Sequence, residues 1–63
     1  MDKEVYKVLY SMRSAPEMRV FIFTDFSDDP QNGRVIFIHD DIDKVLTLYY
    51  DDISRMITAP FNP

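Results

Sequence analysis

Two short runs, "MRVFIFTDF" at Met18–Phe26 and "RVIFIH" at Arg34–His39, constrain this chain most. Both are dense in β-branched and aromatic residues and too short for ordinary helices, so both read as strands. Between them lies Asn32-Gly33, a strong short-range hairpin signal because both residues tolerate positive φ. A two-residue loop there would put Pro30 inside a paired strand, where it has no N–H to donate. The expected loop is therefore longer, from about Ser27 to Gly33. In each run alternate residues point to opposite faces, Val20, Ile22 and Thr24 against Phe21 and Phe23, and neither face is polar.

On either side of the hairpin the spacing predicts helices. Val5, Val8, Leu9 and Met12 recur at i, i+3, i+4 and i+7, with Asp2 as N-cap and Pro16 ending the element near Ser14. A strand competes over residues 3–13, since Tyr6, Val8, Tyr10 and Met12 also alternate. From about Asp41 to Ile57, Ile42, Val45, Leu46, Tyr49, Ile53, Met56 and Ile57 form one helical stripe, capped by Asp40 or Asp41, with Arg55 near the C-terminal end of the dipole. Residues 58–63, with two prolines, read as an extended tail. The expected fold is a single small α+β domain over residues 1–63, in the order αββα with a central hairpin and a C-terminal amphipathic helix. The alternative is a βββα meander plus helix.

A domain of 63 residues buries only about 60% of the surface its unfolded chain exposes. Cysteine is absent, which excludes disulfides and thiolate metal sites and points to the reducing cytoplasm. Stability must come from packing, from oligomerisation or from a partner. The chain has 46% hydrophobic residues, too many for a disordered segment. No apolar run is long enough to span a membrane, and no secretory signal pattern opens the chain. The formal net charge of −4 argues against direct nucleic-acid binding, which requires clustered Lys and Arg. Acidity is concentrated in residues 25–63, where Asp25, Asp28, Asp29, Asp40, Asp41, Asp43, Asp51 and Asp52 face Arg34, Lys44 and Arg55 for a net of −5, whereas residues 1–24 sum to +1.

Catalytic and metal chemistry finds little footing. Counting from Asp28 as a calcium loop places Pro30 at position 3 and His39 at position 12, where oxygen ligands are required. His39 beside Asp40, Asp41 and Asp43 is the one cluster of ligating types, and a single His without Cys cannot build an ordinary zinc site. No serine has nucleophile context, and one glycine forms no phosphate loop. No catalytic residue, metal or cofactor is assigned, and an enzyme using His39 with nearby aspartates is the remote alternative.

The expected function is a small acidic module that binds another protein and modulates or inhibits it, as phage-encoded inhibitors do by analogy. The surface it covers would be basic or nucleic-acid-binding, with the carboxylates standing in for phosphates as in a DNA mimic. Candidate partner-binding residues are Phe21, Phe23, Asp25, Asp28, Asp29, Asp40, Asp41, Asp51, Asp52 and Tyr50. An accessory homodimer, with two hairpins pairing edge to edge, is the alternative.

Overall fold

The computed structural model describes residues 4–61, and the expected N-cap Asp2 lies outside that range. Six strands follow one another, β1 (Tyr6–Met12), β2 (Ala15–Phe23), β3 (Asp25–Asp29), β4 (Arg34–His39), β5 (Lys44–Tyr49) and β6 (Ile53–Pro60). Three single 3₁₀ turns, Pro30–Asn32, Asp40–Ile42 and Tyr50–Asp52, join the later strands. They form two antiparallel sheets, ordered β2-β1-β6 and β3-β4-β5.

The α+β expectation, in its αββα and βββα forms alike, is thereby corrected to an all-β fold, and neither expected helix is present among the described residues. At the N-terminus the competing alternation prevails, with Val8 and Tyr10 buried and Tyr6 half-buried on one face. At the C-terminus, Val45-Leu46-Thr47-Leu48-Tyr49 carries a period of two that the wider helical stripe concealed. Leu48 is buried and Leu46 half-buried, while Val45 and Tyr49 lie outside. Residues 41–57 contain no Ala, Glu or Gln and are rich in Ile, Val, Thr and Tyr, so intrinsic preference also favours strand. The 3₁₀ turn Asp40–Ile42 has His39, not an aspartate, at its N-cap position. The tail is also shorter than expected, because Thr58–Pro60 completes β6 opposite Val8, Lys7 and Tyr6.

The run at Arg34–His39 is a strand as read, whereas the one at Met18–Phe26 is divided. Its first part belongs to β2 and pairs with β1, and its last two residues begin β3 and pair with β4. Thr24 sits at the bend, its N–H donating to the Ile38 carbonyl at 2.8 Å and its Oγ1 accepting from the Asp40 N–H at 3.1 Å. A strand that bends to change sheets is the usual corner of an orthogonal β-packing. The other crossing is the turn Tyr50–Asp52. Its Tyr50 N–H donates to Gly33 O at 2.8 Å, and Arg13 N–H donates to Asp52 O at 2.8 Å.

The β3–β4 loop is Pro30–Gly33, shorter than expected because Ser27, Asp28 and Asp29 are paired strand residues. Pro30 opens its 3₁₀ turn and Gly33 closes it at φ 66, the left-handed region that favours glycine. The β4–β5 loop repeats this design with Asp43 at φ 55, a conformation aspartate tolerates better than most residues. In the first loop Asp29 accepts hydrogen bonds from Asn32 at 2.9 Å and Arg34 at 3.0 Å, which together hold its carboxyl below the ordinary carboxylate value. A lowered native pKa contributes stability above the unfolded value, near 3.9, and loses it as pH falls through the native value. Asp29→Asn will therefore flatten the decline in stability below about pH 4, measured as urea midpoints between pH 6 and pH 2.5. Equal slopes in the two proteins would show that the loop carboxylate is not linked to folding.

Val8, Tyr10, Phe23, Val35, Phe37, Leu48 and Ile53 form the core between the sheets. Every strand contributes to it except β3. The edge strands carry charges or prolines that discourage pairing with another chain, Pro16, Glu17 and Arg19 on β2, the aspartates on β3, Lys44 on β5 and Pro60 on β6.

Candidate functional site: an aromatic groove between the parted sheets

The side chains of directly opposed residues share a face, so Phe26, opposite Phe37, and Asp28, opposite Val35, both project inward from β3. Phe37 is 2% exposed and Phe26 is 59% exposed. The first sheet thus covers β4 but stops short of β3. Across the gap, Met56 and Thr58 on β6 project inward opposite Tyr10 and Val8, and Thr58 is exposed. Between these two strands the core opens into a groove of about 570 Å³.

Its floor is a continuous set of rings. Phe23 stacks on Tyr6 with centroids 5.7 Å apart and meets Phe37 at 4.7 Å, and Phe26 approaches Phe23 edge-on at 6.2 Å and Phe37 at 6.2 Å. Aromatic contacts of this kind contribute about 0.5–1.5 kcal/mol each beyond area burial, which holds the half-exposed members in place. Tyr50 closes one end, its hydroxyl donating to Asp28 Oδ1 at 2.5 Å, and the carboxylate pushes that hydroxyl's pKa upward. At the other end the Tyr6 hydroxyl donates to Glu4. Asp25 lies beside Phe26 and accepts its N–H at 3.1 Å. Neither Asp25 nor Asp28 has a Lys or Arg ion-pair partner among the described residues, unlike Glu17 beside Arg19 and Asp29 beside Arg34.

The residues expected to bind a partner are placed unevenly around this groove. Asp25, Asp28 and Tyr50 line it, and Phe23 forms part of its floor while being only 3% exposed. Phe21 is half-buried beside the core. Asp29 is engaged by Arg34. Asp40 and Asp41 occupy the β4–β5 loop, at the opposite end of β4 from Asp28, Asp29 and the Asp51-Asp52 turn. Five residue steps along β4 separate the ends by about 17 Å. The acidic residues therefore gather at two ends of one sheet instead of forming a single row.

Phe26, Met56 and Thr58 were missed as site residues. For Phe26 a signal existed, because Phe21 and Phe23 alternate regularly and Phe26 falls one residue out of phase, the mark of a bend or bulge. His39 ends β4 opposite Lys44, half-buried, with its Nδ1 buried and unbonded. Among the described residues no three His, Cys, Asp or Glu side chains are placed to hold a metal ion, and no helix is long and apolar enough to cross a membrane. No family model, curated protein or solved structure matches this chain.

Proposed function

We propose that this protein is a small acidic binding module that holds another protein through the groove between β3 and β6 and modulates that partner by occupying its surface. The observation that carries this reading is Phe26, an inward-facing ring left 59% exposed in a gap floored by the rings of Tyr6, Phe23 and Phe37. Concave, largely apolar sites with a few polar groups at the rim are the usual form of a binding site, and an exposed aromatic patch with a polar border is the usual form of an interface. The acidic balance is what supports a basic or nucleic-acid-binding surface as the one covered, with inhibition as the outcome of covering it. Placement in the cytoplasm rests on the absence of cysteine, since secreted domains of this size ordinarily rely on disulfides.

A second reading, the homodimer, is favoured by one feature. Val20, Leu9 and Ile57 lie side by side across the outer face of the β2-β1-β6 sheet, with Val20 and Ile57 exposed. Photo-crosslinking separates the two. A benzophenone side chain at position 26 is expected to give an adduct with one identified protein, suppressed by excess wild-type protein and not by excess Phe26→Asp protein. Equal suppression by both competitors would reject the groove as the binding site. A benzophenone at position 20 yielding a self-adduct of twice the chain's mass would establish the homodimer.

A further inference from the structure

We infer that the groove takes a basic segment of a partner protein, an apolar side chain flanked by Arg or Lys, and this inference rests on the reading of the groove as the binding site. Phe26, Asp28 and Asp25 all line the groove, the exposed ring and Asp28 from the inward face of β3 and Asp25 from the first position of the strand, where its carboxylate accepts the Phe26 N–H. No Lys or Arg lines it among the described residues, and neither carboxylate is neutralised by an ion pair. A ligand that buried only apolar surface there would draw two unpaired charges toward a drier environment, which is unfavourable unless the ligand supplies opposite charge. A cation placed beside an apolar side chain meets both requirements.

Aromatic groups add a second attraction. A guanidinium reaching Asp28 passes beside Tyr50, whose hydroxyl already bonds that carboxylate, and cations are attracted to the faces of aromatic rings. An extended segment rises about 3.3 Å per residue, the same as β3. Two cations separated by one apolar residue are then about 7 Å apart along the segment and Asp25 and Asp28 about 10 Å apart along β3, a difference that long arginine side chains bridge. Nucleic acid is disfavoured as the occupant by the same carboxylates, which would face its phosphates.

Three capped pentapeptides test the assignment by titration against the ¹⁵N-labelled protein, Gly-Arg-Leu-Arg-Gly, Gly-Gln-Leu-Gln-Gly and Gly-Arg-Gly-Arg-Gly. The Arg-Leu-Arg peptide is expected to shift the amides of Phe26, Asp28 and Thr58 saturably, more tightly than the Gln-Leu-Gln peptide by about fivefold or more, as exposed charge pairs of about 1 kcal/mol imply. It should also exceed the Arg-Gly-Arg peptide, which lacks the apolar side chain. In the variant carrying Asp25→Asn and Asp28→Asn, whose spectrum reports folding directly, the preference for Arg over Gln should vanish. Equal binding of the Arg and Gln peptides at the groove would overturn the charge assignment and leave the groove reading standing. Equal binding of both Arg peptides, shifts centred on the outer-face residues Ile36 and Tyr49, or no shift with any peptide would overturn the proposed ligand, while crosslinking from position 26 reports separately on the groove itself.

Discussion

Replacing Leu48 by Ala is expected to remove most of the domain's stability, whereas the same change at Val45 should be nearly silent. Leu48 is 3% exposed in the core and Val45, three residues earlier, is 60% exposed on the outer face of the same strand. Truncating a buried leucine costs about 2–5 kcal/mol, the lost transfer energy plus the cavity left behind. A chain of 63 residues has a total stability of about 3–9 kcal/mol at the usual amount per residue. Leu48→Ala therefore leaves a protein partly unfolded at 25 °C, and Val45→Ala should stay within about 0.5 kcal/mol of the parent. Urea denaturation followed by circular dichroism measures both. The pair also discriminates between architectures, because Val45 lies on the expected helical stripe and Leu48 does not. A large loss at Val45 with a small one at Leu48 would restore the helix and reject the sheet.

The second large effect separates the two phenylalanines that face each other across β3 and β4. Phe37→Ala is expected to cost about 3–5 kcal/mol, since this ring is 2% exposed and touches Phe23 in the centre of the core. Phe26→Ala should cost about 1 kcal/mol or less, because its ring is mostly in solvent and loses one edge-on and one tilted ring contact, each at a centroid distance of 6.2 Å. Comparable losses at the two positions would mean that the sheets close over β3 in solution and that no groove stands open. If the asymmetry holds, an exposed phenylalanine that folding hardly requires calls for another reason to be there, and binding supplies one.

How much of this was legible in the sequence is best judged from particular residues. Arg34–His39 was readable as a strand because its composition and its flanking breakers agree. Residues 41–57 were not, because Ile42, Val45, Leu46, Tyr49 and Ile53 satisfy a helical period by chance while Leu46 and Leu48 satisfy the strand period over a shorter span. The aspartate pairs Asp28-Asp29, Asp40-Asp41 and Asp51-Asp52 held the deciding information. They recur at intervals of eleven or twelve residues, and each ends a strand or lies in a turn. Turn signals at about 8–12-residue spacing mark small all-β domains. Read as helix caps and phosphate mimics, they concealed the sheet they punctuate. The groove was beyond local pattern, since its walls are strands 25–29 and 53–60, brought together only by pairings elsewhere in the two sheets.

The pairing of β1 with both β2 and β6 also governs the order in which the molecule can be built. β1 and β2 are joined by the two-residue turn Arg13-Ser14 and can associate as soon as both have been synthesised, but the other side of β1 waits for β6, whose Ile53 meets Met12 and whose Pro60 meets Tyr6. Closing so long an intervening stretch of chain carries a large entropic cost and makes such topologies slow to fold. Until β6 arrives, the nascent chain exposes the flank of β1 together with Val8 and Tyr10. An unpaired apolar strand flank of that kind is a place where chains aggregate.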